Sequence, residues 1–223
     1  MHFSPYFIRR LYRMGFLLVI LLVVVDLLTF FYYPGTILSD IFLATREQTP
    51  LTWISSLAMF FIALSCFSVY LESKEKIWYF LAVIFFFFSM DDAIYFHERL
   101  SGFFVDNTTI FNFFPTYTWV IIYFPLLIFS LGAFLYLLWK DTLNRNKKPI
   151  VIAFLILGIA ISLDLVDGFM QKNPSFVFCL EASCNSAIVH LSRLTEEVLE
   201  VLALGLLGYA NIQRHCLDDK RKN

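Results

Sequence analysis

Charge is scarce in this 223-residue chain: 16% of its residues are Asp, Glu, Lys or Arg, against about 25% in a soluble domain. With 59% apolar residues and a mean hydropathy of +0.72, it has too little polar surface to cover a water-soluble globule. It also lacks a basic block. Its net charge of −1 excludes the electrostatic footprint of a nucleic-acid-binding domain, so no nucleic-acid partner is expected. The period-2 polar alternation of an outer-membrane barrel is missing, and so is the polar composition of a disordered chain. No internal repeat or linker divides it. One transmembrane domain is expected over residues 1–223.

Long apolar runs fill the space left by charge: Met14–Phe31, Leu51–Leu71, Ile77–Met90, Thr118–Trp139, Ile150–Met170 and Val198–Ala210. A bilayer crossing takes about 20 mostly apolar residues. The runs predict an all-α, polytopic bundle of six spans, near 14–33, 51–71, 77–98, 117–139, 150–170 and 187–210. The third reaches Glu98 if Asp91 and Asp92 face protein, and the sixth begins at a polar Ala187–Glu200 stretch. The Phe85–Phe88 run is expected to face lipid.

Orientation follows from Lys and Arg in short loops. One side holds Arg9, Arg10, Arg13, Lys74, Lys76, Lys140, Arg145, Lys147, Lys148, Arg214, Lys220, Arg221 and Lys222; the other holds Arg46, Arg99 and Lys172. Both termini are therefore expected in the cytoplasm. The first run exceeds a signal-peptide core, and Tyr32-Tyr33-Pro34-Gly35 lacks a small-x-small cleavage pattern, so it reads as a retained helix.

Cys179 and Cys184 share a loop that this orientation places outside, where a disulfide is expected; a redox pair or a two-thiolate metal site is the alternative. Cys66 and Cys216 have no evident partner. Asn107-Thr108-Thr109 matches a glycosylation acceptor, a weak three-residue signal.

The informative residues are ionisable ones inside the spans. Asp26 lies in the first; Asp91, Asp92, His97 and Glu98 in the third; Asp164 and Asp167 in the fifth; His190, Arg193, Glu196, Glu197 and Glu200 in the sixth. Each ionised group at a helix centre costs about 2.5–3.5 kcal/mol on an insertion scale, and the deep acids together cost on the order of 20 kcal/mol. Net folding stability is only about 5–15 kcal/mol. These groups must pair, protonate, meet water or bind a cation. All fall in the outer half by position along their helices, and His190, Arg193, Glu197 and Glu200 share an arc of about 80°. One polar chamber is expected, with Asp91, Asp92, Glu98, Asp164, Asp167, His190, Glu197 and Glu200 converging on His97.

A plain hydrogen-bonded network, with Arg193 neutralising Glu197 or Glu200, is the simpler reading. The carboxylate excess argues instead for bound cations or protons. Carboxylates with imidazoles suit a divalent metal of the Zn, Fe or Mn type, although Glu-x-x-His on two helices and His-Glu-x-x-His are both absent. Asp91, Asp92, Glu98 and Glu197 are expected to do acid–base work, with His97, Asp164, Asp167, His190, Glu196 and Glu200 as metal ligands. Ser55 and Ser56, after the helix-starting Pro50, are placed to face the chamber, without the Gly-x-Ser-x-Gly context of an activated nucleophile.

Three stretches carry a resemblance: Ser89-Met90-Asp91-Asp92 followed by His97-Glu98; Pro50-Leu51-Thr52-Trp53-Ile54-Ser55-Ser56; and Glu196-Glu197-Val198-Leu199-Glu200. Together they resemble an uncharacterised family of multi-spanning bacterial membrane proteins with Leu-Ser-x-Asp-Glu before His-Glu, Pro-Thr-Trp-x-Ser-Ser and a late Glu-Glu-x-x-Glu. Asp92 replaces the usual Glu, and Leu51 is inserted after Pro50. The resemblance spans about residues 40–210. It implies the site's location and a bacterial inner membrane, not a reaction.

The leading expectation is a cation- or metal-dependent membrane enzyme acting on a lipid-like or small-molecule substrate, with membrane lipids as its surroundings. A proton- or cation-coupled transporter is the alternative, although no repeat or broken mid-membrane helix is visible. A non-catalytic assembly or immunity-type protein is the third.

Overall fold

A computed structural model describes residues 5–44, 49–97, 99–100, 103, 119–141, 147–172 and 182–222. Among the described residues there are seven helices and no strand: α1 (Pro5–Tyr32), α2 (Ile37–Phe42), α3 (Pro50–Ser73), α4 (Lys76–Ile94), α5 (Trp119–Asp141), α6 (Lys147–Lys172) and α7 (Ala182–Lys222). Five are long and apolar enough to cross a membrane, namely α1, α3, α4, α5 and α6. The seventh runs unbroken through the predicted sixth span and well past residue 210. Glu98, Asn107 and Cys179 lie outside the described residues, and with Cys179 the expected pairing to Cys184.

Local chemistry explains the helix ends that matter for the site. Thr49 caps α3, its hydroxyl accepting the Thr52 N–H at 3.4 Å, and Pro50 occupies the first turn, where its missing N–H costs nothing. At the other end Lys74 turns left-handed (φ 59°), and its N–H returns to the Tyr70 carbonyl at 2.8 Å. Only Lys74 and Glu75 separate α3 from α4, so the two form an antiparallel hairpin.

The predicted third span is interrupted at Tyr95, and residues 96–97 are helical again beyond the break. α4 stops at Ile94, because Tyr95 adopts φ 54° and its N–H closes on the Asp91 carbonyl. A bulky residue in the left-handed region is strained unless its surroundings hold it there. Here the turn brings the backbone N–H of His97 back to Asp91 Oδ1 at 2.9 Å.

Between lipid tails there is no hydrophobic drive to associate, so van der Waals packing and polar contacts hold the helices together. Ile62 of α3, Trp78, Leu81 and Phe85 of α4, Phe134 and Leu138 of α5, Ile150 of α6 and Leu207 of α7 form the interior. Phe134 meets Phe85 with ring centroids 5.0 Å apart and Trp78 at 6.4 Å, both edge-on. The Phe85–Phe88 run does not face lipid as a block. Phe85 and Phe88 are interior, whereas Phe86 and Phe87 are exposed, as the helical period requires of four successive positions.

The first helix lies at the flank. Leu17, Leu21, Val24, Leu28 and Phe31 form an exposed apolar stripe, while Val19, Asp26 and Thr29 face the bundle. Near its start, Tyr12 packs edge-on against Tyr209 at 5.1 Å. The approach depends on Gly208: a Cβ there would stand 3.1 Å from Tyr12 Oη.

Candidate functional site

The start of α3, the ends of α4 and α6, and the early part of α7 meet at one end of the bundle. Asp92, Asp164, Glu196, Glu197 and Glu200 are linked there through a chain of electrostatic interactions. Glu197 interacts with Asp92 and Asp164, Glu196 with Asp164 and Asp167, and Glu200 with Asp92, Glu196, Glu197 and Asp164. His97 joins them through its interactions with Asp92 and Asp164. Four elements thus contribute to one carboxylate chamber.

Hydrogen bonds divide it into distinct parts. Asp91 is buried and well supplied with donors: the His97 N–H at 2.9 Å, His97 Nδ1 at 2.7 Å and the Tyr123 hydroxyl at 3.0 Å. The Nδ1 contact fixes the imidazole's orientation. Asp91 thereby acts through His97. Its neighbour Asp92 turns toward α3, where Ser55 Oγ stands 2.6 Å from Oδ2. Ser56 reaches the Ser89 carbonyl at 2.7 Å and clamps α3 to α4 just below.

Further along α3, Thr52 hydrogen-bonds Glu197 and lies 3.2 Å from the hydroxyl of Tyr95. The left-handed turn at Tyr95 therefore serves the chamber twice, placing His97 on Asp91 and a phenol on Thr52. Glu197 Oε2 is buried and has no hydrogen-bond partner. A bare carboxylate oxygen in such a place is costly, at about 1–3 kcal/mol or more.

Arg193 acts electrostatically on Glu196 and Glu197 of its own helix, but its described ion pair lies elsewhere. It crosses to α6, where Nη2 and Nε meet Asp167 Oδ2 at 2.9 and 3.1 Å. Helical spacing put Arg193 beside its own helix's acids, but the side chain is long enough to bind a buried carboxylate on the facing helix. Asp167 is consequently a salt-bridge partner, not an open ligand.

His190 also departs from expectation. It pairs with Asp26 of α1, Nε2 to Oδ1 at 2.7 Å, with both side chains about 1% exposed. Asp26 Oδ2 accepts the Ala44 N–H at 2.6 Å, and Phe30 stacks on the imidazole at 4.1 Å with rings 2° from parallel. His190 therefore has its partner on α1, not among the carboxylates of α4 and α6. Its Nδ1 is buried without a partner. Among the described residues, no group of three or more His, Cys, Asp or Glu side chains is arranged to hold a metal ion.

Thr52, Tyr95 and Tyr123 were not singled out from sequence. Thr52 was discoverable, because it stands three residues before Ser55 on the same face of α3. The two tyrosines carry no comparable signal among 11 in the chain. Toward the other end of the bundle, Asn211 is wholly buried, donates to Ser65 Oγ at 2.9 Å and lies 4.0 Å from Cys66 Sγ. Such contacts hold membrane helices together without further chemistry.

No curated protein and no solved structure matches the chain. A family model does, over residues 14–214. Covering nearly the whole described bundle, chamber included, that match shows that the chain belongs to the family described as a domain of unknown function (DUF8692).

Proposed function

We propose that this chain is an integral membrane protein of six spans whose carboxylate chamber takes up a divalent cation in exchange for protons, as a membrane-embedded enzyme acting on a lipid-like substrate. The buried, unpartnered Glu197 Oε2 carries this reading: it stands among Asp92, Asp164 and Glu200, while the guanidinium of Arg193 is bound to Asp167. A divalent ion draws in Glu197, Glu200, Asp92 and Asp164, and His97, oriented by Asp91, stands beside them as a base. The site lies within the bilayer's thickness, which suits a substrate that itself resides in lipid.

The sixth span is α7. Its charges fail a hydropathy criterion because they turn toward α3 and α6 instead of lipid. Both termini then lie in the cytoplasm of a bacterial cell, whose inner membrane is the compartment the basic loops fit. Cysteine labelling at position 106 from outside intact cells is expected to succeed; protection of that position until lysis reverses the orientation.

Calorimetric titration of the purified protein with Mn, Zn, Mg and Ca salts tests the cation. One ion should bind per chain with proton release, more weakly as pH falls, because protons compete for the same carboxylates. Glu197→Gln should abolish binding and leave the protein folded. Failure of all four ions to bind folded protein, or unchanged binding by the variant, defeats the reading.

A proton-coupled carrier is the second reading. It is favoured by the run of hydroxyls from Tyr95 to Thr52 to Glu197, a chain of groups able to pass a proton.

A further inference from the structure

At the end of the bundle opposite the chamber, α3 gives way to α4 and α5 to α6. The two connections differ in charge. Around the first, Lys74 and Lys76 alternate with Glu72 and Glu75, so acid and base balance. Residues 140–148, around the second, carry Lys140, Arg145, Lys147 and Lys148 against a single acid, Asp141. Along α6, Lys147 lies about 25 Å from Asp164 of the chamber, close to the thickness of a hydrocarbon core. The basic surplus therefore stands at the head-group level of the other leaflet.

The surface beneath these lysines is apolar and ordered by the helical period. Lys148, Ile152, Leu155 and Ile159 follow one another at spacings of four, three and four, which places them on one face of α6, and all are exposed. That stripe runs for about 16 Å, roughly half the thickness of a hydrocarbon core. On α5, the exposed Lys140, Tyr136 and Phe129 repeat the pattern. Lys147 joins the two helices, its Nζ 4.6 Å from the centroid of the Trp139 ring. An aromatic face holds an ammonium in place without cancelling its charge. Trp139 is itself 45% exposed, and Trp and Tyr favour the membrane–water boundary.

We propose that this face of α5 and α6 seats an anionic phospholipid. Its phosphate meets Lys140, Lys147 and Lys148, and an acyl chain lies along Ile152, Leu155 and Ile159. Charge complementarity selects the head group, and the apolar stripe selects a lipid over a soluble anion, because its length matches one leaflet. The α3–α4 connection supplies a comparison within the same molecule. Lys76 also heads an exposed apolar face, with Phe80 and Val83 below it, but Glu75 adjoins it and offsets its charge. The seat lies across the bilayer from the carboxylates, so the inference requires neither a cation in the chamber nor either orientation of the chain.

Native mass spectrometry of the full chain, released from micelles containing phosphatidylglycerol or phosphatidylcholine with identical chains, reads the bound lipid. Phosphatidylglycerol should stay on the protein in preference to phosphatidylcholine. Lys147→Gln and Lys148→Gln should each lower its affinity about fivefold. Lys74→Gln with Lys76→Gln removes as much charge and should leave the affinity unchanged. Inorganic phosphate should not displace the lipid. In the wild-type protein, phosphatidylglycerol with brominated chains should quench tryptophan fluorescence more than brominated phosphatidylcholine does, and Trp139→Phe should abolish the difference. Should the lysine variants fail to fold, the wild-type quenching decides alone. Equal retention or equal quenching by the two lipids overturns the assignment. An equal loss in the Lys74 and Lys76 variant reduces it to general surface charge, and displacement by phosphate reduces it to an anion site without a lipid; either result defeats it.

Discussion

His190→Ala should destabilise the protein by about 1–3 kcal/mol, the usual consequence of leaving a buried polar partner unsatisfied, and by more where the lost ring leaves a hole. The pair joins residues 164 apart in sequence and fastens α1, with the turn that follows α2, onto α7. Losing the imidazole leaves Asp26 buried with the Ala44 N–H as its remaining donor among the described residues, and it opens a hole beneath Phe30. Replacing both partners has a different consequence, because no buried polar group is left without its partner. Asp26→Leu with His190→Leu should recover most of the lost stability. Unfolding monitored by titration of SDS into mixed micelles measures both. A double variant as unstable as the single one shows that packing, not the unpaired polar group, dominates.

The second large effect is expected at Arg193. Its guanidinium holds Asp167 and also interacts with Asp164, Glu196 and Glu197. Arg193→Leu removes that cation from a chamber already rich in carboxylates, and a loss of about 3–5 kcal/mol at neutral pH follows. Acidification neutralises the carboxylates left bare, so the deficit relative to wild type should narrow as pH falls. Adding Asp167→Leu should narrow it at neutral pH as well. Thermal unfolding at pH 7.5 and pH 5 decides the matter, and a deficit equal at both values removes electrostatics as the cause.

Much of this architecture was legible from the chain. Apolar runs of bilayer length marked the membrane-spanning helices because lipid penalises every unsatisfied backbone group. The cost of intramembrane charge singled out acids on α4, α6 and α7 that do assemble. What escaped depended on contacts distant in sequence. No Gly, Asn or Pro announces the end of α4; a tyrosine takes the left-handed turn, with the segment beyond it tied back to Asp91. Angular position on α7 showed that His190 and Glu197 lie near one another on the helix surface, but not that α1 covers the first and α3 the second. The Phe85–Phe88 run read as a block because its composition is uniform, whereas burial follows the helical period. The six-residue α2 is shorter than any window on which periodicity can act.

The length of α7 has a mechanical consequence. Its 41 residues extend for about 60 Å, roughly twice the thickness of a hydrocarbon core. Glu196, Glu197 and Glu200 occupy its first half, and the remainder runs on past Asn211 without interruption. A continuous helix tilts as a rod, so a small rotation among the carboxylates becomes a larger displacement at the far tip. Under the proposed function, charge taken up in the chamber would be registered at the far end of α7 by the same piece of backbone.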